Sequence, residues 1–97
     1  LSSSSAASDV YKRQLYNLAT AHRLTGDQAS YRRCLFMAAQ RQPQIPQALY
    51  EITLIHVREG RMEEARRTLQ RAVQNGLDGQ LVEDLVRQVP QLGSEKN

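Results

Sequence analysis

Ninety-seven residues, 40% of them hydrophobic and 24% charged, fit one small folded domain and argue against a disordered polymer. No run approaches the roughly 20 apolar residues of a membrane span, and the start lacks the basic-then-apolar order of a secretory signal. The formal charge of +3 falls by one when residues 1–14, with Lys12, Arg13 and Asp9, are set aside. That is too weak to argue for a nucleic-acid partner.

The first fourteen residues, LSSSSAASDVYKRQ, carry no core pattern, and the composition changes abruptly at Leu15. SSSSAASDVYKRQ resembles the translated read-through of a sequencing-library adapter, of the kind found at the ends of frames assembled from metagenomic reads. This predicts a non-native, largely unstructured leader over 1–14, dispensable at least through residue 8. The alternative is a natural Ser-rich linker entering a helix capped by Ser8 or Asp9.

From Leu15 onward the apolar residues recur at helical spacing. Leu15, Leu18 and His22 mark a first helix, which stops at Gly26, a residue suited to a left-handed C-terminal cap. Asp27 can cap the next helix by accepting from its free N–H groups. Tyr31, Leu35, Ala38 and Ala39 form that helix's stripe, and Pro43 and Pro46 close it and open the third. The third helix carries Leu49, Ile52, Ile55 and His56 to Gly60. The fourth runs from about Arg61 through Ala65, Leu69, Ala72 and Val73 to Gly76. Asp78 can cap a fifth, with Leu81, Val82, Leu85, Val86 and Val89 on one side; Pro90 ends it, before a polar tail over 91–97. No period-two alternation predicts a strand.

Displacing the chain by 34 residues superposes it on itself. Leu15 meets Leu49, Tyr16 meets Tyr50, His22 meets His56, Gly26 meets Gly60, and Leu35 meets Leu69. Arg32 and Arg33 meet Arg66 and Arg67, Ala38 meets Ala72 and Gln40 meets Gln74. Two copies of one helix–turn–helix unit are implied. Residues 15–45 and 46–77 form the copies, and 78–90 a helix whose apolar side covers the end of the array.

LYNLATAHRLTGDQASYRRCLFMAAQRQP and LYEITLIHVREGRMEEARRTLQRAVQNG resemble tetratricopeptide repeats. Period, turn glycine and small residues at the closest helix approach (Ala19, Ala38, Ala65, Ala72) agree across about residues 12–77. Tyr31 and Thr53 depart from the family's small residues, Leu15 and Leu49 replace its frequent Trp, and Leu77 replaces the closing Pro of the second copy. The resemblance implies an all-α helical-hairpin solenoid: two repeats plus a C-terminal capping helix. Since about three repeats usually make a stable array, it also implies the C-terminal end of a longer one, with self-association through an uncovered first repeat.

Carried over residue by residue, the family's concave groove falls on Tyr16, Asn17, Thr20, Arg23 and Leu24 of the first repeat. From the second repeat it takes Gln47, Tyr50, Glu51, Leu54, Val57 and Arg58. The implied function is a protein-interaction module, a scaffold or adaptor end, binding a peptide or helix there. Asn17 matches a groove asparagine that bonds a ligand's backbone. The lysines that clamp a terminal carboxylate in some members are absent from the matching places, which disfavours a chaperone C-terminus as ligand. A nucleic-acid-binding helical repeat is the alternative, but it needs stacking and basic groups along the groove, and only Arg23 and Arg58 qualify.

There is no glycine-rich phosphate loop, HExxH or GxSxG, and no cofactor or metal is implied. His22 and His56 stand at equivalent places, but stacked helices lie about 8–10 Å apart, too far to share a metal easily. They read as packing residues. Glu63 and Glu64 are neighbours in sequence and diverge on a helix, a poor acid–base pair. They instead face Arg66 and Arg67 at pairing distance. The one cysteine, Cys34, reads as a small packing or surface residue and leaves the redox compartment and localisation unknown.

Overall fold

The computed structural model describes residues 3–41 and 44–93, with side chains from residue 10 onward. Among these residues the fold is all-α: α1 (Ser3–Thr25), α2 (Gln28–Ala39), α3 (Pro46–Arg58), α4 (Met62–Gln74), α5 (Gly79–Gln88) and a one-turn 3-10 helix, η1 (Pro90–Leu92). The chain divides into two compact units, residues 1–44 and 45–97. The first is the hairpin of α1 and α2. The second is the hairpin of α3 and α4, followed by α5 and η1, which pack on α4.

Both hairpins turn by the same device. In the first, the N–H of Asp27 donates to the His22 carbonyl at 2.9 Å, and that of Gly26 to Arg23 at 3.2 Å. In the second, Arg61 donates to His56 at 2.8 Å and Gly60 to Val57 at 3.1 Å. Leu77 and Gly76 repeat the pattern on Ala72 and Val73 after α4. This closure satisfies carbonyls that the helix end leaves unpaired, and it needs a left-handed residue. Gly26, Gly60 and Gly76 supply it at φ 86°, 77° and 98°.

The helix starts follow local chemistry. Asp27 accepts from the Ser30 N–H at 3.1 Å and Asp78 from the Gln80 N–H at 3.0 Å, so both expected caps are formed. Pro46 stands in the first turn of α3, where a missing N–H costs nothing. Pro43 lies outside the described residues. Among the described residues no strand forms, and no helix is long and apolar enough to cross a membrane.

Each hairpin interior closes on small side chains. Ala19 and Ala38 of the first and Ala65 and Ala72 of the second are fully buried, beside Leu35 and Leu69. Tyr31, in a slot where the resemblance suggests Ala, is accommodated and buried. Thr53 is fully buried too, and its hydroxyl donates to the Leu49 carbonyl at 2.8 Å, which removes the cost of an unmade hydrogen bond.

The structure departs from the sequence reading at one point and sharpens it at three. First, residues 3–14 are helical, continuous with α1, rather than an unstructured leader. No Gly or Pro interrupts 3–25, so nothing stops a helix that in the second hairpin is stopped at Pro46. Lys12 is buried, and the Tyr11 ring lies 4.5 Å from the Arg41 guanidinium, so this end takes part in the first unit's packing. Residues 1 and 2 lie outside the described residues.

Second, Leu18 is 47% exposed, whereas its counterpart Ile52 is 4% exposed. Helix α3 buries a second flank, Ala48, Ile52 and Ile55; on α1 the corresponding positions, Gln14, Leu18 and Ala21, are exposed. Third, Val73 is 48% exposed, because the buried line of α4 runs through Ala65, Thr68, Leu69 and Ala72 and leaves Val73 on the edge. Fourth, the tail is not uniformly polar and free. Leu92 is buried in η1, and of the α5 stripe only Leu85 is buried while Leu81, Val82, Val86 and Val89 are half-buried.

Candidate functional site

The helical spacing that buries Leu15 and Ala19 necessarily turns Tyr16, Asn17, Thr20, Arg23 and Leu24 away from that line. Tyr16 and Thr20 are half-buried, Asn17 and Arg23 exposed, and Leu24 is 76% exposed. The Thr20 hydroxyl donates to the Tyr16 carbonyl at 3.2 Å, so its proton is held by its own helix. What this face offers a ligand is therefore the Tyr16 ring, the Asn17 amide, the Arg23 charge and the apolar Leu24.

Helix α3 repeats the arrangement. Burial of Leu49, Thr53 and His56 leaves Tyr50, Glu51, Leu54 and Val57 half-buried and Gln47 and Arg58 exposed. Tyr50, Leu54 and Val57 are spaced to form one apolar line, flanked by Gln47, Glu51 and Arg58. Each first helix thus brings its own candidate residues onto a single face.

His22 is half-buried, with Nδ1 3.8 Å from the Asp27 carboxylate, whereas His56 is buried. No group of metal-ligating residues occurs among the described residues. Asp27 is held below its ordinary carboxylate value, first by the side-chain hydrogen bond with Ser30, then by the Ser30 N–H, with smaller help from His22 and Arg33. This is cap chemistry, which carries no catalytic implication. Cys34 is a free, half-buried thiol in α2.

The ion pairs expected on α4 are formed. Arg66 reaches Glu63 at 2.7 Å, and Arg67 stands 3.9 Å from Glu63 and 3.8 Å from Glu64. One feature of the second unit was missed in the sequence. A cavity of about 590 Å³ opens between α4, α5 and η1, floored by Leu69, Val73, Val82, Val86 and Leu92. Its signal was the valine-rich α5 stripe, read only as a cover.

No family model, curated protein or solved structure matches the chain.

Proposed function

We propose that the chain is a tetratricopeptide-type interaction module that binds an extended peptide or a helix on the exposed face of the first helix of a hairpin, α1 in one unit or α3 in the other. The supporting observation is the division of each first helix. One line is buried in its hairpin, and the other presents a tyrosine, an arginine and apolar side chains together. Tyrosine and arginine combine apolar area with hydrogen bonding and are the residues that anchor interfaces. The 34-residue self-similarity and the identical turn closures are what the resemblance leads one to expect. The role proposed is binding without catalysis, at the end of a scaffold or adaptor.

The test is to select peptides against the whole chain by display and to titrate them against Tyr50→Ala and Arg58→Ala. Weakening by an order of magnitude or more supports the reading, and no effect from either overturns it. Self-association has a separate candidate surface, the α1 flank bearing the exposed Val10, Tyr11 and Leu18. Sedimentation of Leu18→Glu beside the unaltered chain tests it; a compact monomer in both would remove it.

A further inference from the structure

Helix α5 repeats the register of α3 after 33 residues. Leu81, Val82, Leu85, Val86 and Val89 stand where α3 has Ala48, Leu49, Ile52, Thr53 and His56. All five of those α3 residues are buried, and α4 packs along α3. Helix α5 meets α4 and the one-turn η1, yet four of the five residues stay half-buried. The cavity between α4, α5 and η1 thus occupies the place that a second helix would fill if α5 opened another hairpin. Its floor is apolar on both walls: Leu69 and Val73 from α4, Val82 and Val86 from α5.

The rim carries charge of one net sign. Its ionisable residues are Glu63, Arg66 and Arg67. Arg66 is committed within the fold, donating to Glu63 at 2.7 Å and to the Gln91 carbonyl at 3.0 Å. Arg67 is 60% exposed, and its contacts with Glu63 and Glu64, at 3.9 and 3.8 Å, are too long for hydrogen bonds. An apolar floor beside this exposed guanidinium, held by its glutamates only at ion-pair distance, complements an apolar stripe flanked by carboxylates.

We infer that this groove docks an acidic amphipathic helix of another protein, in the position of the missing second helix. The chain itself shows what such a helix needs. Tyr31, Leu35 and Ala38 of α2 and Ala65, Leu69 and Ala72 of α4 place a central leucine at i+4 and an alanine at i+7, with Ala65 of α4 or the larger Tyr31 of α2 at i. The docked helix carries that spacing, with a Glu or Asp at the edge facing Arg67. Laying an apolar helix stripe between two helices is an ordinary recognition mode. This site is separate from the α1 and α3 faces and does not depend on their role.

The test uses the whole chain and two fluorescein-labelled synthetic helical peptides of about four turns. Both carry an Ala–Leu–Ala stripe at that spacing; one is flanked by Glu, the other by Lys. The Glu peptide should bind saturably and at least tenfold more tightly than the Lys peptide. Val73→Glu and Arg67→Glu, both at exposed positions, should each weaken the Glu peptide tenfold or more with the circular dichroism spectrum unchanged. Tyr50→Ala should have no effect. The inference is overturned if the Glu peptide does not bind below about 1 mM, a bare 4 kcal/mol of affinity. Equal binding of the two peptides, or indifference to Val73→Glu, overturns it as well. Loss on Tyr50→Ala would assign the peptide to the α3 face instead. A dimer of the chain that Val73→Glu dissociates would show that a second copy is the occupant.

Discussion

The guanidinium of Arg66 donates from α4 to the main-chain carbonyl of Gln91, 25 residues further on, at 3.0 Å. Its other terminal nitrogen holds Glu63 at 2.7 Å. The same side chain therefore serves an intrahelical ion pair and a long-range tie that holds η1, with its buried Leu92, against α4. The pairing along one helix face that the spacing suggests describes Arg67 but is only half of what Arg66 does.

Arg66→Ala should lower stability by about 0.5–1 kcal/mol, since the side chain is partly exposed and solvent weakens both interactions. Arg66→Lys should not restore it, because an ammonium lacks the planar fork that reaches two acceptors in different directions. Arg67→Ala should be nearly neutral. Urea unfolding measures all three, and equal losses for Arg66→Ala and Arg67→Ala would deny the tie to η1.

What was legible in the sequence divides along physical lines. Gly26, Gly60, Asp27, Asp78 and Pro46 were read correctly because turns and caps depend on one or two residues and their immediate backbone. The lines Tyr31–Leu35–Ala38 and Ala65–Leu69–Ala72 were legible because each hairpin buries one face at a fixed spacing. The exposure of Leu18 and Val73 was not legible, because whether a helix buries a second flank depends on a neighbouring element, which periodicity within one helix does not report. Only the expected lack of structure in the leader was wrong: weak patterning was taken as absence of structure, although residues 3–14 contain no helix breaker. The α4–α5 groove was missed because an apolar stripe on α5 looks the same in sequence whether it is covered or half open. The candidate faces of α1 and α3 were named from resemblance, and the structure adds which of their residues are exposed.

Gly60 and Gly79 should respond to alanine in opposite directions. Gly60 sits at φ 77° in the α3–α4 turn, where a Cβ is strained although there is space for it. Gly60→Ala should cost about 1–2 kcal/mol. Gly79 opens α5 with no heavy atom within 4 Å of an added Cβ and no left-handed φ. Gly79→Ala should raise stability by about 0.4–1 kcal/mol by restricting the unfolded chain. Thermal unfolding of the two variants decides, and two losses would mean the α5 start is under strain not visible in its backbone.

Stability should also contain an acid-sensitive part traceable to Asp27. Its folded-state value lies below the ordinary 3.8, mainly because of its hydrogen bonding with Ser30. A depressed value means the charged form is favoured on folding. The contribution is therefore complete above 3.8 and disappears as pH falls through the lower folded-state value. Asp27→Asn keeps an acceptor for the Ser30 N–H and loses the titration, so its urea midpoint should fall less than that of the unaltered chain between neutral pH and pH of about 3. Parallel curves would assign the acid sensitivity to other carboxylates.

Removing residues 1–14 should destabilise the first unit rather than leave it unchanged. The deletion takes away the Tyr11 ring that faces Arg41 and the buried Lys12. A cation–aromatic contact at a partly exposed site contributes about 0.5–1 kcal/mol. The lost packing of the lysine stem adds to that. In a chain of this size about 1 kcal/mol moves the melting temperature by about 4–8 °C. Tyr11→Ala in the full chain should reproduce part of the shift. A deletion with an unaltered melting point would restore the dispensable-leader reading.

The α3 face gives the sharpest test of the proposed role. Tyr50 and Arg58 stand beside Leu54 on the side of α3 turned away from Leu49 and Thr53. Truncating an aromatic or Arg anchor costs about 2 kcal/mol or more at an interface, against almost nothing for peripheral contacts. For peptides selected against the chain, Tyr50→Ala and Arg58→Ala should raise Kd by an order of magnitude or more. Arg66→Ala and Arg67→Ala, on α4, should leave it nearly unchanged. The half-buried Tyr50 makes a stability check necessary, and an unchanged circular dichroism spectrum supplies it. A protein ligand held by apolar and aromatic contact should show shallow salt dependence. Binding carried by phosphates falls steeply, with a slope that counts the phosphate contacts. Loss on Arg66→Ala and Arg67→Ala together with a steep salt slope would move the site to α4 and favour the nucleic-acid alternative over the peptide reading.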